Sequence, residues 1–383
     1  MDELLLRELR ANPEYELVLF DRLPAGERRA LADLSREPGF YGVLRPQGGS
    51  ELVLRSVDRD TALLFLTLRE PGSLPAYARA SLGEAAPRTV ARLVADGVLE
   101  VAGDRGFVSG PAAMELLRGG SGASGDGRLA SLSLAALRAA QALPLEDAER
   151  LTWFLYAFNR RPLTPAWKRL LPNGAAVERY LGIAAGGANR ARLNRSWSRV
   201  ETQGWLSWKA RGRPASEPSR PAATYKLFVS PLPEALADSF GAILEALTAA
   251  RARQFKVGAN ANGLLRPDKI VAYFTGFEPL AEAAAEVRQR LGGAPAHGVP
   301  FTSGIGGDGL LSWGVDPPQT EWGSFVGDSW RLWLARRLAQ AILAARRSPA
   351  SGVEPWSFAL ERLRLDGIDT ITWTPGALLW KES

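Results

Sequence analysis

The stretch "FKVGANANGLLRPDKIVAYFTG", Phe255 to Gly276, holds two of the chain's six lysines, Lys256 and Lys269. The chain carries 47 Lys+Arg, so nearly every other basic residue is arginine. Within the stretch, "KIVAYF" mixes β-branched and aromatic residues in alternation and reads as a strand. Arg266, Pro267, Asp268 and Lys269 stand immediately before it. Proline sets a turn there, and Asp268 can pair with either basic neighbour or accept backbone N–H groups. Upstream, "TYKLFVSPL" reads as a second strand. "LADSFGAILEALTAARAR" and "PLAEAAAEVRQRLG" read as helices. The order is β–α–loop–β–α, then loops, the helix "SWRLWLARRLAQAILAAR" and a possible strand in "GIDTITWTPGALLW". It predicts a mixed α/β domain over residues 224–383, with the basic turn at a strand end where clefts of such sheets form.

Working outward, residues 129–223 read as mostly helical. The aromatic group Trp153, Phe154, Tyr156, Phe158 and Trp167 is spaced as core. "RGRPASEPSRPAA" (Arg211–Ala223) is linker-like, and "RGGSGASGDGR" (Arg118–Arg128) is a flexible Gly/Ser linker. Residues 1–35 read as one or two helices. "FYGVLRPQGGSELVLRSV" (Phe40–Val57) reads as a hairpin. Three helical segments follow, and "VLEVAGDRGFVSG" is a further hairpin. The expected fold is α+β: a winged-helix-like module over 1–117, a linker over 118–128, a helical region over 129–223 and the α/β domain.

Bulk properties narrow the chemistry. There are 383 residues, enough for two or three domains. No cysteine is present, which excludes disulfides, thiolate metal sites and cysteine nucleophiles. His297 is the only histidine, so a histidine-rich metal centre is excluded. The net charge of +6 suits an anionic ligand, or else a solvated basic surface. "MDELLLRELR" lacks an apolar signal core, and no apolar run approaches the ~20 residues that span a bilayer. The expectation is a soluble cytoplasmic protein without a membrane partner. No GxSxG elbow, phosphate-loop lysine motif or GxGxxG is present. "SGIGGDGLLSWG" (Ser303–Gly314) lacks the lysine and helix of a phosphate loop and reads as an ordinary loop.

Two resemblances add function. The strands-then-helices order of Phe40–Ser109 resembles the precursor-peptide recognition element of ribosomally made peptide pathways. That implies a leader peptide bound as an added strand. A DNA-binding winged helix, with Arg79, Arg88 and Arg92 on phosphates, is the competing reading; nucleic acid is the less expected partner. Between Thr224 and Ala345, "YKLFVSP", "FKVG", "GLLRPDKIVAYF", "GVPFT", "LLSWGVDPP" and "SWRLWLARRLA" occur in order. Together they resemble the HopA-type type III effector family and its relatives in thioamitide and class V lanthipeptide clusters. The resemblance implies a lyase that eliminates phosphate from phosphoserine or phosphothreonine of a precursor peptide. A partner kinase would first add the phosphate, and neither cofactor nor metal is implied.

Elimination needs a neutral base, which lysine can become and arginine cannot. Lys226 and Lys256 are the base candidates, Lys226 preferred because it lies in a predicted strand. Arg266, Lys269 and Arg331 are candidates to hold phosphate. His297 is the candidate acid, by analogy with phosphothreonine lyases of another effector family that pair a lysine base with a histidine acid. Asp268, Thr302, Trp313 and Asp316 are the expected pocket residues. The alternatives are a non-catalytic leader-binding subunit and a host-targeted effector that acts by binding proteins.

Overall fold

The computed structural model describes residues 2–32, 39–48, 52–104, 106–118, 125–212, 224–317, 329–348 and 351–376. The fold is α+β. The chain divides into two compact units, Met1–Ala123 with Arg337–Gly367, and Ser124–Arg336 with Ile368–Ser383. Residues 337–367, expected in the C-terminal domain, thus belong to the first unit, and most of the expected Gly/Ser linker lies outside the described residues.

The first unit contains β1 (Leu9–Ala11), β2 (Tyr15–Leu19), α1 (Ala25–Ala30), β3 (Phe40–Pro46), β4 (Arg55–Asp58), α2 (Arg59–Thr67), α3 (Ala76–Leu82), α4 (Ala86–Ala95), β5 (Leu99–Gly103), β6 (Gly106–Val108) and α5 (Met114–Leu117). Two three-stranded sheets form, ordered β1-β5-β6 and β2-β3-β4. The expected hairpin, three helices and second hairpin are all present. Two of the segments expected as N-terminal helix are instead strands: β1 pairs with β5 and β2 with β3, both antiparallel. Pairing partners distant in sequence override the local helical pattern there. Asp58 caps α2 by accepting from Thr61 N at 2.7 Å. Val90, Ala91 and Val94 of α4 lie at helical spacing and are fully buried.

The second unit begins with α6 (Arg128–Ala142), α7 (Ala148–Ala157), α8 (Pro165–Leu170), α9 (Gly174–Tyr180) and α10 (Ala188–Ser196). Two strands then follow inside the region read as helical, β7 (Trp197–Thr202) and β8 (Trp205–Ala210). Their signal was a two-residue Gln203-Gly204 turn, with Gly204 at φ 74°, between alternating runs. The rest is β9 (Tyr225–Val229), α11 (Leu236–Ala249), β10 (Gln254–Gly258), α12 (Ala261–Leu264), β11 (Ile270–Phe274), α13 (Phe277–Arg290), β12 (Ser303–Ile305) and β13 (Leu311–Val315). After these come α14 (Trp330–Arg346), which crosses the division between units, α15 (Pro355–Leu365) in the first unit, and β14 (Ile368–Asp369) and β15 (Thr374–Pro375).

One seven-stranded sheet, ordered β12-β13-β9-β11-β10-β8-β7, organises this unit. Every pairing in it is antiparallel, so the expected mixed sheet is corrected. Side chains alternate across a strand. One face carries Leu227, Val229, Phe255, Val257, Ile270, Ala272 and Phe274, which form the core with α11 and α13. The other face carries Lys226, Lys256, Tyr273 and Ser207, beside a small apolar cluster of Phe228, Val271 and Val299. No helix among the described residues is long and apolar enough to cross a membrane.

Candidate active site

The segment after β10 sets the site. A Cβ on Gly258 would lie 2.4 Å from the Gly263 backbone, so α12 can fold flat onto the strand end only with glycine at that position. Asn260 caps the turn by accepting from Gly263 N at 2.9 Å. The chain then presents Arg266 and Asp268. Arg266 donates to both Asp268 oxygens, at 2.8 and 2.7 Å, and to the Tyr156 hydroxyl at 2.8 Å. Arg331 Nη1 reaches the same carboxylate at 2.9 Å. Burial alone would raise the Asp268 carboxyl; Arg331 and Arg266 outweigh it and hold it well below the usual carboxylate range.

From this anchor, cations and aromatic rings alternate. Arg331 lies 4.8 Å from the Tyr156 ring centre, and Arg266 lies 5.2 Å from both Tyr156 and Trp205. Lys256 lies 4.3 Å from Trp205 and 5.7 Å from Tyr273, and Lys226 lies 5.4 Å from Tyr273. Strand register explains the far end: Lys226 is directly opposite Tyr273, and Lys256 is one row along beside Val271 and Ser207. Each ring face attracts cations that would otherwise repel one another. Among the described residues two carboxylates pair with these four cations, one at each end: Asp268 and Asp316.

The two candidate bases differ in their partners. Lys226 Nζ is ion-paired with Asp316 Oδ2 at 2.5 Å. Asp316 Oδ1 also accepts from Trp330 N, at the first turn of α14. Lys256, in contrast, has no hydrogen bond or ion pair at Nζ among the described residues, only the two rings. Burial pulls its ammonium from 10.5 down to about 8; Lys226 and Arg266 push the same way against Asp268 and Asp316. A neutral amine beside cations is the pairing that proton abstraction next to an anion requires.

Other expected residues sit elsewhere. Lys269 and His297 form a separate buried pair, with Lys269 Nζ 3.0 Å from His297 Nδ1 and donating to Pro231 O at 2.7 Å. His297 Nε2 donates to Asn159 O at 2.6 Å, so both ring nitrogens are engaged. Burial and the Lys269 charge push His297 down to about 3, leaving it neutral. Arg331 is 1% exposed, and its guanidinium is taken by Asp268, Pro300 O and Tyr156 O. It positions Asp268 and Tyr156 and is closed to a ligand. Thr302 is buried, donating to Val299 O at 2.6 Å. Trp313 pairs in register with Leu227 and packs on Tyr225 and Phe277, on the helix-covered face away from the lysines. Trp205, Tyr273 and Tyr156 join the site only in the folded chain. Tyr156 read as core, and Trp205 lay in a region read as helical, so neither showed a signal without the fold.

No family model matches the chain, and no curated protein matches it. Some solved structures are similar. An effector protein from Pseudomonas syringae pv. syringae strain 61 is 14% identical at TM-score 0.38, covering 65% of this chain and 100% of that one. The effector from Pseudomonas syringae pv. tomato strain DC3000 is 12% identical at the same score, covering 64% and 96%. The Chromobacterium violaceum VirA (SpvC) phosphothreonine lyase effector is 12% identical at TM-score 0.24, covering 31% and 65%. Likeness at these scores carries no argument about activity.

Proposed function

We propose that this chain is a lyase eliminating phosphate from phosphoserine or phosphothreonine in a ribosomally made precursor peptide, after a partner kinase has placed the phosphate. The carrying observation is Lys256, an unpaired lysine of lowered pKa between two rings and among cations. In this reading Lys256 Nζ takes the α-proton of the phosphorylated residue. The electron pair forms the Cα=Cβ bond, the Cβ–O bond breaks, and phosphate leaves against Lys226 and Arg266. Tyr273, whose phenol burial holds protonated well above its usual range, faces both lysines as a hydrogen-bond donor to the leaving oxygen. His297, expected as the acid, has no free nitrogen for that step. The ordered motifs of residues 224–345 support the same chemistry. The converging cations favour it over a purely peptide-binding subunit, and the first unit fits a leader-binding role.

The test is direct. Purified full chain mixed with a phosphorylated cognate peptide should release inorganic phosphate and a product lighter by one phosphoric acid, with or without chelator. Absence of both products from a verified phosphopeptide would overturn the proposal.

A further inference from the structure

Arg160 and Arg161 stand exposed directly after α7, the helix that carries Tyr156. Neither side chain has an ion pair or hydrogen bond among the described residues. Some surface arginines of this unit are paired, Arg192 and Arg290 with Glu245 and Arg199 with Glu178, while Arg169, Arg179 and Arg190 stand exposed like Arg160 and Arg161; what sets these two apart is their place beside Arg266. Between Arg150 and Val177 the sequence has four basic residues, Arg160, Arg161, Lys168 and Arg169, and no Asp or Glu. Burial and the neighbouring Arg266 guanidinium hold Arg160 below its ordinary range, so this arginine adjoins the site cations. Asp268 offsets only part of this repulsion, since it is already shared by Arg266 and Arg331, and an incoming anion would relieve the rest.

Their placement is built from beneath. Asn159 has φ 68°, a left-handed conformation that few residues other than glycine tolerate and asparagine does. Its side-chain amide donates to His297 O at 3.0 Å and Gly298 O at 2.9 Å, while its own carbonyl accepts from His297 Nε2 at 2.6 Å. Lys269 fixes the other imidazole nitrogen and is itself tied to Pro231 O. Arg161 N donates to Leu265 O at 3.0 Å, just before Arg266. A buried lysine and the chain's single histidine thus serve one loop residue.

We propose that Arg160 and Arg161 form a rim subsite that takes acidic side chains of the peptide flanking the phosphorylated residue, and that the Lys269–His297–Asn159 chain positions them. This rests on the lyase reading for the identity of the peptide. The depth of the groups separates the roles. Lys226 and Arg266 are mostly buried and face the phosphoryl group, whereas Arg160 and Arg161 lie outside, where a peptide's side chains pass.

The test uses the full chain and fluorescein-labelled 11-residue peptides, in about equal length and composition, with either three Glu or three Gln around a non-eliminable phosphonate analogue of phosphothreonine. Binding is followed by anisotropy. Wild type should prefer the Glu peptide about threefold to tenfold at low salt, fading as salt rises. R160A/R161A should reduce that preference to about twofold or less while still binding the phosphonate. Asn159→Gly, which keeps the positive φ and removes the amide clamp, should weaken the preference in wild type but add nothing in the R160A/R161A background. A Glu preference undiminished in R160A/R161A, or none in wild type, overturns the subsite. A third peptide with three Glu and a central Ala separates the two proposals: a Glu preference there that depends on Arg160 and Arg161 supports the rim subsite even where no elimination is found.

Discussion

At the level of single residues, elimination depends on which lysine can lose its proton. Lys256→Arg keeps a cation that binds phosphate but cannot become neutral. Phosphopeptide binding should survive, and turnover should fall by about 10²–10⁴. Lys226→Arg should retain much of the activity, because a guanidinium can hold both Asp316 and phosphate. Near-normal turnover in the Lys256 variant would transfer the base role elsewhere. The pH dependence follows with its sign. The active form is deprotonated, so kcat/KM should rise with pH through a midpoint near 8. Stability moves the same way. Between about 8 and 10.5 the unfolded chain binds a proton that the folded chain does not, so folding is favoured as pH rises through that window. Below it the buried ammonium is a cost, and Lys256→Met should stabilise the fold at pH 7 by about 1–3 kcal/mol in urea unfolding. That gain should vanish near pH 10.5.

At the scale of elements, glycines let the pieces approach. Gly314 lies opposite Lys226 in the sheet, and a Cβ there would meet the buried Trp330 ring at 2.6 Å. Trp330 in turn gives its backbone N–H to Asp316, the partner of Lys226. Gly314→Ala must therefore push the start of α14 off its strand. It should lower stability by about 1–3 kcal/mol and reduce turnover together, read from the urea midpoint and the elimination rate. Loss of stability with turnover unchanged would disconnect α14 from the site. The β7–β8 hairpin acts similarly. It brings Trp205 under Lys256 and Arg266, and it places Ser207, fully buried and without a hydrogen-bond partner among the described residues, directly opposite Lys256.

At the scale of the whole molecule, the first unit is fastened by Arg362 of α15. Its guanidinium donates to both oxygens of Asp96, at 2.8 and 2.7 Å, and to Asp366 at 2.5 Å. Burial would raise the Asp96 carboxyl; Arg362 and Arg55 outweigh it and hold it at about 2. Its contribution is therefore complete above the ordinary carboxylate range and lost as pH falls through about 2. Arg362→Met leaves Asp96 with its 3.4 Å ion pair to Arg55 and Asp366 with its 3.5 Å pair to Arg337, and should lower the unit's stability by about 1–3 kcal/mol, visible as an earlier calorimetric transition. An unchanged transition would remove α15 from the unit's stability. A deletion of residues 1–118 should fare poorly for a related reason, since it strips the partners of Leu365, which is buried in the first unit's core.

The α+β class, the strands "YKLFV" and "IVAYF", the helices around them, and the lysines whose chemistry differs from arginine are legible in the residues alone. These depend on local periodicity and on intrinsic side-chain chemistry, which any stretch of chain carries with it. That β7 and β8 join the sheet, that Trp313 faces away from Lys226, that His297 holds Asn159, and that Asp316 pairs with Lys226 and leaves Lys256 free emerge only on folding. Each depends on strand register and on partners dozens of residues distant, and a one-residue change of register would exchange the two faces of the sheet.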